Sequence, residues 1–224
     1  MTDTFDPITL EILWTRLISI VDEAAKVIVR TSFSTLSNEA NDFACVLTDA
    51  RGYALAQNTG SIPSFIGTLP ATVPPFLREL GAPHVWRGRI VAFSATTAHM
   101  PDIGGRIRAI EAREVFEEGL HIPLTRFARA GQPDETLIQL IRANVRTPDQ
   151  TIGDIWAQVS ANTLMENRVR RLLEEYGLDS LEALADELFG RCERAMRQAI
   201  GAVPDGTYSY AMRTDGTEVP LDFK

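Results

Sequence analysis

The segment Ala98-His99-Met100-Pro101-Asp102-Ile103-Gly104-Gly105 sets an imidazole and a carboxylate three residues apart, ahead of a double glycine. A His-x-x-Asp pair can bring one nitrogen and one carboxylate oxygen to a single cation from one turn of backbone. Pro101 biases Met100 toward an extended conformation, so the pair sits on a turn rather than inside a helix. Gly104 and Gly105 permit positive φ and the close approach of a ligand or another backbone. Two ligands are half of a coordination shell, because a site closed by protein alone takes three or four N, O or S donors. Mixed nitrogen and oxygen donors suit a divalent cation such as zinc, manganese or ferrous iron. The structural alternative is a loop in which the nearby carboxylate simply hydrogen-bonds the imidazole.

Few other residues offer comparable chemistry. The chain has three histidines. His121, in Glu118-Gly119-Leu120-His121, is either a further ligand brought in by the fold or a packing residue. His84 has no carboxylate at matching spacing. Asp42, in Asn41-Asp42-Phe43, opens a strand, where it is a turn cap or a residue of the site. Gly104, Gly105 and Arg106 would shape that site, and Arg106-Ile107-Arg108 offers a corner for an anion. Arg113, near Glu111 and Glu117, reads as part of a solvated helix face. No Gly-x-Ser-x-Gly elbow, Walker A loop or Gly-x-Gly-x-x-Gly fingerprint is present, and no catalytic nucleophile or base stands out.

The elements that must position these groups are legible from periodicity. Asp6-Pro7 opens a helix whose apolar residues, from Ile8 through Leu13, Leu17, Val21 and Ala24 to Ile28, form a broad core-facing stripe. Residues 43–48 and 53–57 flank Asp49-Ala50-Arg51-Gly52 and predict a β-hairpin. Residues 60–70 read as an ordered loop leading into a helix around Ala71–Leu80. Residues 89–97, uncharged after Arg89, predict a strand suited to a sheet interior, with His99 directly after its end. Helices follow at Glu135–Arg146 and Asp149–Tyr176, the second ending at Gly177. Asp179-Ser180-Leu181-Glu182 caps another whose apolar face carries Leu181, Leu184, Leu188, Cys192, Met196 and Ile200. Residues 207–213 and 218–223 flank Asp215-Gly216 as a last hairpin.

The expected fold is therefore α+β: a mixed sheet with β-hairpins in the N-terminal half and a helix-rich C-terminal half. It reads as one domain over residues 1–224, divisible into 1–130 and 131–224. A lone hairpin at the end has an open edge, so the chain reads as the N-terminal portion of a larger subunit. With 224 residues, 45% hydrophobic and 23% charged, it has the composition of a globular protein. A net charge of −8, with no basic run, argues against nucleic-acid binding. Two cysteines on apolar faces, Cys45 and Cys192, read as buried free thiols, and neither a signal peptide nor a membrane-length apolar run is seen. The expected location is the cytoplasm.

Beyond single motifs, a series of stretches resembles a known family in order along nearly the whole chain. The series runs through Asp6-Pro7-Ile8-Thr9-Leu10-Glu11-Ile12, Asn41-Asp42-Phe43-Ala44-Cys45, Ile62-Pro63, Gly67-Thr68-Leu69-Pro70 and the His99 segment. It continues with Arg113-Glu114-Val115-Phe116-Glu117-Glu118-Gly119, Arg142-Ala143-Asn144-Val145-Arg146-Thr147-Pro148 and Pro204-Asp205-Gly206-Thr207-Tyr208. It resembles the B-type subunit of the hydantoinase/oxoprolinase family, which includes N-methylhydantoinase, 5-oxoprolinase and the acetone and acetophenone carboxylases. The resemblance implies a hetero-oligomeric, ATP-dependent enzyme. In it an A-type partner binds ATP and phosphorylates an amide or ketone oxygen. The B-type subunit then supports ring opening or carboxylation at a divalent metal, with His99 and Asp102 as ligands. A second His-x-x-Asp segment usual in the family is missing here, since Gly81-Ala82-Pro83-His84 joins its flanks directly. The same resemblance leaves open a non-catalytic, shortened scaffold subunit.

Overall fold

Asp6 starts the first helix as expected: its Oδ1 accepts the N–H groups of Ile8 at 3.0 Å and Thr9 at 3.1 Å, with Pro7 at the first helical position. In the computed structural model, which describes residues 5–80, 87–106, 112–213 and 222–223, this helix (α1) runs Pro7–Thr31. A short helix α2 (Thr35–Asn38) leads into strand β1 (Phe43–Asp49), which turns back into β2 (Ala54–Gln57). Helices α3 (Pro63–Ile66) and α4 (Thr68–Leu80) precede strand β3 (Ala92–Ala98). After α5 (Val115–Glu118) come a two-residue hairpin, β4 (Ala128–Arg129) and β5 (Gln132–Pro133), and helices α6 (Glu135–Asn144) and α7 (Pro148–Tyr176). Helix α8 (Glu182–Gly201) and the strands β6 (Met212–Arg213) and β7 (Asp222–Phe223) follow.

By packing, the chain divides into two compact units, Met1–Asp186 and Glu187–Lys224. The core of the first is a sandwich with one small sheet inside it. Strand order is β2-β1-β3, and all described strand pairs are antiparallel, where the sequence allowed a mixed sheet. Every residue of β1 is buried, because both faces of this central strand are covered. Ala44 and Val46 pack with Ala95 against Leu69 and Phe65 of α4 and α3. On the opposite face lie α1 and α7, which pack extensively on each other. Leu13, Leu17, Val21 and Ala24 of α1, and Ala157, Ala161, Met165 and Leu172 of α7, are all buried. Alanine at these positions lets the helix axes come close.

Several elements depart from the sequence reading. The β3 ladder starts at Ala92 rather than Arg89, and residues 60–70 contain α3 and the first turn of α4. The last hairpin pairs at Met212↔Phe223 and Arg213↔Asp222, while its Asp215-Gly216 turn lies outside the described residues. On α8 the expected stripe is buried at Leu181 and Leu184, whereas Met196 and Ile200 are 62% and 63% exposed. Both cysteines are free, but only Cys45 is buried; Cys192 is exposed, a correction to its expected place in a core. Burial, with the charge of Asp22 nearby, pushes the Cys45 thiol up to about 12, so it stays protonated and inert. Among the described residues no helix is long and apolar enough to cross a membrane.

Leu17 has no exposed surface. Leu17→Ala is expected to lower the unfolding free energy by about 2–5 kcal/mol, read by urea or guanidinium titration.

Candidate functional site

Strand register brings the first site pair together. β1 and β3 pair from Phe43↔Ala98 to Asp49↔Ala92, so the next step of the ladder sets Asp42 opposite His99. The His99 N–H bonds the Asp42 carbonyl at 3.2 Å, extending the ladder to that pair. Directly opposed residues share a face of the sheet, here the face covered by α3. Asp42 Oδ2 lies 2.7 Å from His99 Nδ1, and the Phe65 ring meets the imidazole edge-on with centroids 4.9 Å apart. Against an ionised carboxylate Nδ1 is the donor, and in the neutral ring that tautomer leaves the lone pair on Nε2. The His99 side chain is 62% exposed and that of Asp42 19%. The outcome is an imidazole oriented by a carboxylate and open to solvent.

Asp102 does something different. It is 4% exposed, and its oxygens collect N–H groups: Gly104 N–H at 2.9 Å, Thr147 N–H at 3.3 Å, the backbone N–H of Arg146, and Arg146 Nη1 at 3.0 Å. Burial pushes the Asp102 carboxyl upward. The three backbone donors and the Arg146 charge outweigh that and hold it below the usual carboxylate range. Arg146 also donates to the Gly104 carbonyl at 3.2 Å and the Gly105 carbonyl at 2.6 Å. The loop after His99 is thus tied to the corner between α6 and α7.

The double glycine answers to that same packing. Gly104 and Gly105 have φ of 88° and 52°. A Cβ on Gly104 would sit 2.6 Å from the Asn144 carbonyl oxygen, and one on Gly105 would sit 2.5 Å from that of Glu117. The close approach that the glycines permit is to this chain's own backbone. Arg106 joins the same contact: its N–H bonds the Glu117 carbonyl at 2.9 Å and its guanidinium stands 3.9 Å from the Glu117 carboxylate. His121 is exposed. His84, Ile107, Arg108 and Glu111 lie outside the described residues. Among the described residues no group of three or more His, Cys, Asp or Glu side chains is placed to hold a metal ion.

Sequence reasoning gave no role to three residues that organise this region. Arg146 stood in a family-like stretch, and Phe65 in a segment read as a loop. Asp154, on α7 and 2% exposed, accepts the N–H groups of Phe33 at 2.7 Å and Ser34 at 3.2 Å, tying the α1–α2 turn to α7. Its signal was a carboxylate at a helix position whose neighbours in the 3.6-residue period, Ala157 and Ala161, are apolar.

Comparison with known proteins places the chain. The family model described as hydantoinase B/oxoprolinase matches residues 6–84 and 79–224, and the chain belongs to that family. It is 29% identical to the caprolactamase subunit beta of Pseudomonas jessenii, over 92% of this chain and 41% of that protein. It is 27% identical to the 5-oxoprolinase of Dictyostelium discoideum, over 89% of this chain and 18% of that one. The crystal structure of the ATP-dependent caprolactamase from P. jessenii superposes with a TM-score of 0.80 at 30% identity, covering 91% of this chain and 40% of that one. The chain spans about two fifths of the length of the first curated relatives that it matches.

The lowered Asp102 pKa carries a sign. Its contribution to stability is present above the unfolded value near 3.8 and is lost as pH falls through the lower folded value. Asp102→Asn is expected to cost about 1–3 kcal/mol near pH 7, because buried N–H donors lose their charged acceptor. The gap to wild type should shrink on acidification below about pH 4, read by denaturant titration across pH. Gly105→Ala, at positive φ against backbone, should cost about 1–3 kcal/mol at every pH.

Proposed function

We propose that this member of the hydantoinase B/oxoprolinase family is part of the B-type subunit of an ATP-dependent amidohydrolase that opens cyclic amides, or of a related ketone carboxylase. On this reading an A-type subunit binds ATP and activates the substrate, and the present chain offers the activated carbonyl a divalent-metal site built on His99. The observation that carries the reading is the Asp42–His99 pair. An imidazole whose Nδ1 is held by a carboxylate at 2.7 Å, on a side chain 62% exposed, is prepared as metal-ligating histidines are. Asp42 orients the ring and has a second oxygen to offer. A cation recruiting Asp102 would have to compete with the four N–H groups already on its carboxylate. Zinc, manganese or ferrous iron fits an imidazole with carboxylate oxygens, and such an ion would polarise a carbonyl or stabilise an oxyanion. The chain's own contribution is to fix the imidazole and to tie the Asp102–Gly105 loop that follows it to the corner between α6 and α7.

A second reading, a non-catalytic scaffold subunit of the same kind of complex, is favoured by one observation. The described residues bring no third His, Cys, Asp or Glu to the pair.

Tag-free protein is expected to bind Zn²⁺ or Mn²⁺ and to melt higher with it, the gain reaching about 2.7 kcal/mol at a hundredfold excess over Kd. His99→Ala should abolish the gain. Elemental analysis without metal, together with an unchanged melting temperature, would leave the scaffold reading. Turnover of hydantoins, 5-oxoproline or ketones on co-expression with an A-type subunit and ATP would remove it.

A further inference from the structure

Ala95, Thr97 and His99 are alternate residues of one strand, so they share the sheet face that α3 and α4 cover. Phe65 meets the His99 ring and also packs on the cluster of Ala44, Val46 and Leu69 that Ala95 joins. Beside that cluster a cleft of about 910 Å³ follows β3 from Thr97 back to Phe93. Phe93 to Thr97 spans about 14 Å at the rise of a strand, and Thr68 to Phe76 of the facing helix about 12 Å. Leu69, Val73 and Phe76 make the apolar wall on the α4 side.

The charge along the cleft has one sign. Its described lining includes no Asp or Glu but does include Arg126 and Arg129, in a chain whose net charge is −8. Ala128, next to Arg129 on β4, also lines a neighbouring cleft of about 490 Å³ with Leu47, Val91 and Ala92. That sets β4 beside the N-terminal end of β3, the end remote from His99. The cleft thus leads from an oriented imidazole, along an apolar wall, to a guanidinium. A compact ring such as 5-oxoproline does not bridge that distance.

We propose that this cleft holds the body of the substrate, and that the substrate is an elongated carbonyl compound with an acidic far end. The reacting carbonyl lies at His99, the apolar middle between α4 and β3, and a carboxylate or phosphate on Arg129. A guanidinium takes either anion through paired N–H donors, and the apolar wall selects for length. The inference rests on His99 as the seat of the chemistry, whereas anion binding at Arg129 needs no metal.

The test measures binding to the metal-free 224-residue chain by calorimetry. Phenylhexanoate is expected to bind at least about tenfold tighter than the neutral phenylhexanamide and than 5-oxoproline. Phenylpentyl phosphate, compared with phenylhexanoate, tells which anion the site prefers. Arg129→Gln should bring the acid down to the affinity of the amide, while Arg129→Lys keeps part of the difference. Thr72 is exposed on the α4 wall, so Thr72→Trp fills the cleft without entering the core. It should weaken acid and amide alike, at least about tenfold, and keep the melting temperature to within a few degrees of wild type. His99→Ala should leave these affinities within twofold while abolishing the zinc-dependent rise in melting temperature, so the two readings fail separately. Equal affinity for acid and amide, an acid preference that survives Arg129→Gln, or unchanged binding by Thr72→Trp would each overturn the proposal.

Discussion

Everything at the candidate site depends on the register of β1 against β3. The side-chain period of a strand is two, so a slip by one residue would send Asp42 and His99 to opposite faces of the sheet. The same slip would take Ala44 and Val46 off α3 and α4, and Ser94 and Thr96 off Asn162 of α7, with which they share hydrogen bonds of 3.3 and 3.1 Å. The buried core on both faces thus enforces the register, and the register delivers the carboxylate to the imidazole. The position of His99 is a by-product of packing two strands between two helical layers.

A second layer of order comes from carboxylates that act as anchors for backbone. Asp102 and Asp154 are both almost fully buried, and each gathers N–H groups from a segment distant in sequence. A buried charge without donors would cost several kcal/mol; with two or more it becomes a directional tie between loops. Asp154 fixes where the chain leaves α1, and Asp102 fixes where it leaves β3. Both ties end on α7 or at its N-terminal corner, so the helix that packs extensively on α1 also sets the two turns bordering the site.

The legible parts of the fold were those written in local periodicity. The stripe from Leu13 to Ile28, the hairpin around Gly52 and the long α7 helix with its Gly177 cap each carry a pattern within a single window. The family-like order of motifs extended that reading to function class. Other features had no local signature. That His99 pairs with Asp42 rather than with the nearer Asp102 follows from strand pairing, which spacing along the chain does not encode. The role of Arg146 needs the corner between α6 and α7 to lie under the double glycine. The failure at Met196 and Ile200 has the opposite cause: a regular apolar period there ends on side chains 62% and 63% exposed. α5, β4 and β5 are too short to rise above turn chemistry.

The tie between Asp102 and Arg146 spans 44 residues of chain, and this orders events in time. During synthesis every residue of the β1–β3 ladder is available once residue 99 has emerged, but the α7 side of the core that fixes its register is not. The loop behind it stays unanchored until the start of α7 has emerged and docked on α1. The histidine and its partner are thus synthesised early and framed late, and any cofactor arriving at this face meets its final shape only after the long helix is in place.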